Sequence, residues 1–519
     1  MADQKGFLVV SDLHLSEGRN PSTGWIDPRE DFLFDDDFAD FLEHHISAGE
    51  WSNTEWTLII AGDFVDFLQV TGVPPNQPEL ETEGGYGLVP GPLESAWKMG
   101  RIIAGHPQFF NALARFSRSH RIIVVSGNHD AEFVFPEVRQ ALTESLENRA
   151  REIYGPSSRC IPPIFHPWFY YDGQIWIEHG HQYDPANAFP SAENPVIPET
   201  KGMTTDRDSR IMLTLGSIFV RYLFNRVETS SPFADNIKPE TRFIGWFIRN
   251  HPARSLAYFF TDGRTMFQKI KESRRLSKEP SEKYNYQRIT DKNRDSAGKS
   301  RDKKRACQVN PETLRKLKNL GARPMLSRSG RVMSGILRLL LGTGRIALFL
   351  STLLLLNLSA VLLLLSPIWS LLLPPWLAAE PALQALIEWS RSSQIPLAFL
   401  LTQVAALLLA WIATRHSRKK YCCARQLREK AAKIAGILDP EYIIMGHCHE
   451  TDLVKFPSGC QYINTGTWTK IFSRESSTTR EEKELIYTRI ILKDGDSSLD
   501  LMKWEGRGGT GRRANLIDG

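Results

Sequence analysis

Short apolar runs that stop abruptly and hand over to carboxylates, imidazoles or amides recur along the chain. Phe7 to Val10 runs into Ser11-Asp12-Leu13-His14, Thr57 to Ala61 into Gly62-Asp63-Phe64-Val65-Asp66, and Arg121 to Val125 into Ser126-Gly127-Asn128-His129-Asp130. Gln174 to Glu178 leads to His179-Gly180-His181, and Glu441 to Met445 to Gly446-His447-Cys448-His449. Such runs are too short for helices and rich in aliphatic residues, which predicts buried central strands with polar groups at their tips. A glycine there lets the backbone turn sharply. Asp12 and His14, two apart in an extended segment, are expected on one side of it and within reach of one ion. Phe169 to Tyr171 and Gln174 to Glu178 predict a hairpin turning at Asp172-Gly173. Tyr462-Ile-Asn-Thr-Gly-Thr-Trp468 predicts another strand tip, and Ile486 to Leu492 with Leu499 to Trp504 the strands that close the sheet.

Helical spacing appears elsewhere. Phe32, Phe34, Phe38, Phe41 and Leu42 within Trp25 to Glu55 predict a packed helix, and Glu94 to Ser119 a second. Gln69 to Pro92, rich in Pro, Gly and Glu, reads as a loop at the ligand end of the sheet. Arg210 to Arg226 and Arg242 to Phe260 interleave apolar and aromatic residues with basic ones, the pattern of a membrane-surface helix, a lid over the site or a core-packed amphipathic helix. The Lys- and Arg-dense tract from Arg264 to Arg331 predicts mostly loop or disorder, as does the Gly- and Arg-rich tail from Gly506. Ile346 to Leu365 and Ile395 to Ala413 are uncharged runs matching the roughly 20 residues of a transmembrane helix. Basic residues outside both runs (Arg331, Arg338, Arg345; Arg415, Arg418, Lys419, Lys420, Arg425) and Trp369, Trp376 and Trp389 between them predict a membrane hairpin, with the catalytic domain and both termini cytoplasmic.

A chain of 519 residues implies two or more structural units. The pattern divides it into 1–184 and 439–505 as two parts of one catalytic domain, with 185–263 as a helical insertion or lid and 264–331 as a basic segment. Residues 332–438 hold the membrane hairpin, and 506–519 form a tail. The net charge of +5 is mild, and the six cysteines show neither paired metal spacing nor a disulfide framework, which fits a reducing compartment. Met1 to Val10 has no secretory signal pattern.

Asp12-x-His14, Gly62-Asp63-x-x-Asp66, Gly127-Asn128-His129-Asp130, His179-Gly180 and Gly446-His447-x-His449 follow one another in the order of the calcineurin-like metallophosphoesterase superfamily, which the chain resembles over Gly6 to Asp184 and Asp439 to Trp504. The resemblance implies a four-layer α/β/β/α sandwich with a two-metal centre at strand ends, here interrupted by the helical insertion with its two transmembrane helices. It implies Asp12, His14 and His449 on one ion, Asn128, His179 and His447 on the other, Asp63 bridging them, His129 as proton donor or charge stabiliser for the leaving oxygen, and Asp66 orienting His129. His179 is preferred over His181 because the family ligand directly precedes the glycine. Oxygen and imidazole ligands without thiolate suit Mn²⁺, and also Fe or Zn²⁺. Ser11 to Ser16, Gly62 to Phe67 and Asn464 to Trp468 further resemble the UDP-diacylglucosamine pyrophosphohydrolase subgroup, which has Arg in place of His129 and lacks a long insertion. The expectation is a membrane-anchored phosphoester hydrolase acting on a lipid-linked or membrane-proximal ester, with the bilayer as partner. The alternatives are a phosphodiesterase or nuclease acting on soluble nucleotides or nucleic acid, for which the basic tract would be an electrostatic footprint, and a catalytically silent scaffold on this fold.

Overall fold

In the computed structural model, the apolar runs form strands in two sheets. The first has the order β14 (Gly511–Arg513), β13 (Asp496–Trp504), β12 (Ile486–Lys493), β1 (Gln4–Val10), β2 (Thr54–Ala61), β3 (Arg121–Val125), β4 (Ile164–His166). Its β1 to β4 half is parallel and its other half antiparallel. The second has the order β5 (Phe169–Tyr171), β6 (Ile175–Glu178), β7 (Tyr442–Met445), β9 (Gln461–Thr465), β8 (Thr451–Lys455). A separate hairpin joins β10 (Lys470–Glu475) to β11 (Thr478–Lys483). The structure describes residues 4–47, 49–51, 53–197, 208–229, 261–277, 309–327, 423–475, 478–493, 496–506 and 509–514, with isolated positions 250, 251, 254, 258 and 381. The chain divides into one unit of Met1–Ile237, Leu256–Ser329 and Cys423–Gly519 and another of Lys238–Ser255 and Gly330–Cys422. All the elements named here belong to the first.

The period of two in each strand separates the cores. Phe7, Val9, Ile59, Ala61, Ile123 and Val125 face Ile175, Ile177, Tyr442, Ile444 and Ile463 in a shared apolar layer between the sheets. Their sequence neighbours Leu8, Val10, Leu58, Ile60, Ile122 and Val124 point the other way. There they meet Phe38 and Phe41 of α1 (Asp35–Ser47), Met99 and Ile102 of α2 (Pro92–Gly105), Phe109 and Leu113 of α3 (Pro107–Phe116) and Leu142 and Leu146 of α4 (Pro136–Tyr154). On the far side of the second sheet, Trp176, Ile443 and Tyr462 pack with Leu427, Ala431 and Ile434 of α9 (Cys423–Leu438) and Leu317 of α8 (Pro311–Lys318). Each fully buried Val, Leu, Ile, Phe or Met among them is worth about 1.5–3 kcal/mol, and both sheets are packed on both faces.

Several expectations need correction. The helix expected within Trp25 to Glu55 is confined to Asp35–Ser47. Upstream, the Glu30 carboxylate accepts the N–H groups of Ser16 (3.0 Å), Gly18 (2.7 Å) and Phe32 (2.8 Å), capturing donors and so holding an irregular loop. The helix expected from Glu94 to Ser119 is two, broken at His106 before Pro107, because the residue preceding proline is disfavoured in helical conformation. In the basic tract, where loop was expected, α7 (Gly263–Leu276) and α8 are helical, and the tail contributes β14. Of the two basic–aromatic stretches, the first is core-packed: α5 (Leu215–Phe219), a wider π turn at Val220–Phe224 and α6 (Asn225–Glu228) bury Leu215, Ile218, Phe219, Tyr222 and Phe224. The second, Arg242 to Phe260, lies outside the described residues apart from isolated positions.

The transmembrane part of the expected fold is not found: no helix of the described residues is long and apolar enough to cross a membrane. The 19-residue α4 carries Glu137, Arg139, Glu144, Glu147, Arg149, Arg151 and Glu152, and one charge at mid-bilayer costs about 2.5–3.5 kcal/mol. Ile346 to Leu365 and Ile395 to Ala413 lie outside the described residues. The fold is therefore a mixed α/β arrangement of two sheets. The integral-membrane placement, with its cytoplasmic catalytic domain and termini, is not supported, since among the described residues no helix could carry it.

His106, at the break between α2 and α3, is buried between two carboxylates, Nε2 3.1 Å from Glu30 and Nδ1 3.1 Å from Asp35. Burial would lower its pKa, but Glu30 and Asp35 raise it from 6.5 to about 10. A raised folded-state pKa contributes stability that is fully present below 6.5 and lost as pH rises through about 10. Melting temperatures of wild type and His106→Gln are accordingly expected to differ most at pH 6 or below and to converge above about pH 10. A gap constant across that range would contradict a charged His106.

Candidate metal centre

Every strand tip singled out from the sequence reaches one place. Asp12 and His14 follow β1, Asp63 and Asp66 follow β2, Asn128 and His129 follow β3, His179 follows β6, and His447 and His449 follow β7. The backbone there is unusual. Among the described residues, the non-glycine positions with positive φ are Asp12 (54°), His14 (52°), Asp63 (48°), His447 (72°), His449 (57°) and Asp439 (50°). All but Asp439 are expected metal ligands. Left-handed backbone at non-glycine residues costs of order 1–3 kcal/mol each and persists only where the surroundings enforce it, a concentration typical of functional sites. It also corrects the reading of Asp12-x-His14 as extended: the N–H groups of Asp12, Leu13 and His14 turn onto the Gly62 and Asp63 carbonyls at 3.1, 2.9 and 2.9 Å.

Close approach accounts for two glycines. A Cβ on Gly127 would lie 2.1 Å from Asp63 Oδ1, and one on Gly446 2.3 Å from Asp12 Oδ2, so only glycine lets these tips touch. Asn464 and Thr467 on the neighbouring tip brace them, Asn464 donating to Gly446 O (2.7 Å) and Thr467 to Asp12 O (2.7 Å). Asp130 supports the same region from below, accepting the N–H groups of Gly127 (2.6 Å) and Phe64 (2.7 Å). Burial and the Asp63 charge push its carboxyl up to about 8.

The side chains fall into groups that could hold a metal ion: Asp12, His14 and His449; Asp63, His179 and His447; and His14, Asp63 and His129. His449 Nε2 is 3.3 Å from Asp12 Oδ1 and 3.3 Å from His14 Nε2. Asp63 Oδ2 lies 3.0 Å from His179 Nε2 and 3.7 Å from His14 Nε2, while its Oδ1 accepts the His129 N–H at 2.9 Å. His179 Nδ1 donates to Ala61 O at 3.1 Å, which leaves Nε2 facing the cluster. Buried Asn128 Oδ1 makes no hydrogen bond, which leaves an amide oxygen free to face a cation. The donor set, carboxylate, imidazole and amide oxygen, fits a cation. The thiol of Cys448 points elsewhere, accepting from Asn464 at 3.2 Å.

Electrostatics agree with a cation site. Burial would raise the carboxyls of Asp12 and Asp63, but both stay well below the usual range, Asp12 through His179 and His449, Asp63 through His179, His129 and His14. His179, against burial, is raised to about 9 by Asp63 and Asp12. Bound metal would replace that proton.

Beside the cluster, Asp66 Oδ2 is 2.5 Å from His129 Nδ1 and 3.5 Å from His14 Nδ1. Burial opposes ionisation of Asp66, yet His129 and then His14 hold its carboxyl well below the ordinary range. His181 stays out of the metal groups: its Nε2 faces Gln182, and burial with the charges of His179 and His447 keeps it neutral. Asp184, not singled out from the sequence, lies 3.3 Å from His447 Nε2, the kind of carboxylate that orients a ligating imidazole. An aspartate five residues beyond His179, outside any strand-tip run, carries no pattern by which it could be found.

No protein-family model, curated protein or solved structure matches the chain.

Proposed function

We propose that this chain is a metal-dependent phosphoester hydrolase holding two divalent transition-metal ions, Mn²⁺ foremost, with Fe or Zn²⁺ as alternatives. Asp12, His14 and His449 would hold one, Asn128, His179 and His447 the other, and Asp63 both. The observation that carries this reading is the Asp63 carboxylate, whose Oδ2 faces His179 of one set and His14 of the other. The order of the five motifs along the chain supports the same chemistry.

Ions held there would polarise phosphoryl oxygens and make water nucleophilic at neutral pH. The chain's own part is to separate ligands from the proton donor. His129 keeps its backbone N–H on Asp63 and its Nδ1 on Asp66, so the ring is aligned with the metal groups, and Nε2 would carry the proton for the leaving oxygen. Its side chain is 14% exposed against 0% for Asp66, which leaves the imidazole accessible and its orienting partner dry.

The test is hydrolysis by Mn²⁺-loaded protein of a panel of aryl phosphates, cyclic nucleotides, nucleotide diphospho-lipids and single-stranded DNA. Turnover that disappears with a chelator and returns with metal is expected. Preference for DNA would make the chain a nuclease. No turnover on any member with metal bound would leave a silent scaffold.

A further inference from the structure

We propose that Lys98 and Asn225, one on α2 and the other at the start of α6, are positioning residues for the Asp66–His129 pair, an inference that rests on His129 being the proton donor. The loop just after Asp66 has its polar backbone divided between the site and these two side chains. On the site face, Asp66 N donates to Leu15 O (2.8 Å) and Phe67 N to His129 O (3.2 Å). Asp66 Oδ1 accepts Leu68 N (2.8 Å) and Gln69 N (3.1 Å), which commits that oxygen and leaves Oδ2 for the His129 ring. On the other face the two successive carbonyls are taken from below: Phe67 O by Lys98 Nζ at 3.1 Å and Leu68 O by Asn225 Nδ2 at 2.7 Å.

Neither donor is a bland core residue. Lys98 is 0% and Asn225 4% exposed, and a buried ammonium or amide is costly unless it makes hydrogen bonds of this kind. Burial pulls the Lys98 ammonium down and pushes the Glu132 carboxyl up, against the attraction between them. Asn225 directly follows the π turn, a widened helical turn frequent at functional sites. Arg221 within that turn anchors it, donating to Leu88 O at 2.7 Å and pairing with Glu83 at 3.1 Å. A segment inserted between the metal motifs thus supplies one of the two donors that fix the two successive peptide planes after Asp66. With either donor gone, the freed carbonyl draws the peptide toward another partner, the turn closed by Asp66 Oδ1 loosens, and Oδ2 drifts from His129 Nδ1, while Asp63 on the same tip, its carbonyl held by the Leu13 and His14 N–H groups, and the ligands on the other tips stay in place.

Lys98→Met and Asn225→Ala test this with three readouts: metal content, hydrolysis of an activated aryl ester against an alkyl phosphodiester, and the low-field ¹⁵N-coupled proton signal of the His129 Nδ1–H bonded to Asp66 in metal-free protein. Metal content is expected to stay at the wild-type level. The alkyl diester should lose at least about tenfold more rate than the aryl ester, a fraction of what general acid catalysis is worth. The His129 signal should move to high field or vanish. Asn225→Ala, which leaves no buried charge, decides the matter should Lys98→Met fail to fold. Equal losses on the two esters, or an unchanged His129 signal in both variants, would overturn the positioning role. Wild-type protein inactive on both esters would remove the phosphoesterase reading instead, and the signal, which needs no turnover, would still decide the positioning role.

Discussion

Asp63→Asn is expected to lose metal and turnover together. The residue is 2% exposed and lies where both ligand sets meet, with Oδ2 3.0 Å from His179 Nε2 and Oδ1 on the His129 N–H. An amide keeps the size and removes two things. It has no charge to offset a cation, and its NH₂ group must point a donor either at the His129 N–H or at the cluster, so one native contact is turned into a clash of donors. Loss of a residue that merely orients a ligand lowers metal affinity by about 10–100-fold, and loss of a shared ligand should exceed that. If bound metal supplies several kcal/mol of transition-state stabilisation, turnover should fall by at least about 10³-fold. Elemental analysis of protein reloaded with Mn²⁺ is the measurement. Unchanged metal content would remove Asp63 from the bridging position whatever happened to the rate.

The strand tips were legible because two signals coincide in them. Residues such as Leu58, Ile59 and Ile60 are buried on alternate faces, so the run is apolar throughout, and the polar groups that end it cannot continue a buried strand. The side chains of the site were thus identifiable, but their backbone was not. Asp12-x-His14 and His447-x-His449 fit an extended segment as well as the left-handed turns that occur, since spacing alone carries no φ. Lys98 was invisible for a different reason: a lysine among the polar positions of an amphipathic helix looks solvated, and only the tertiary arrangement puts it over Phe67 O. Asn225 was hidden likewise in a stretch that fits lid, membrane surface and core alike. The membrane reading rested on Ile346 to Leu365 and Ile395 to Ala413, runs outside the described residues, and among the described residues no helix is long and apolar enough to cross a membrane.

His129→Ala should separate chemistry from metal binding. His129 belongs to one of the groups able to hold an ion, with His14 and Asp63, so a ligand role and a proton-donor role make opposite predictions. Its Nδ1 contact with Asp66 at 2.5 Å leaves Nε2 open to either role, since ligating imidazoles make such a contact too. The proposed ligand sets are complete without His129, and on that reading it is the donor. The variant is then expected to retain the metal content of wild type and to lose roughly 10²–10⁴ in rate. The loss should depend on the leaving group. A nitrophenolate departs readily without a proton and an alkoxide does not, so most activity on an activated aryl ester should survive while an alkyl phosphodiester is scarcely hydrolysed. Asp66→Asn, which leaves the imidazole in place with a weaker and less directional partner, should show the same trend to a smaller extent. Loss of metal in His129→Ala would return the residue to the ligand set. An equal rate loss on both esters with metal retained would mean that the imidazole positions the phosphate and does not protonate the leaving oxygen.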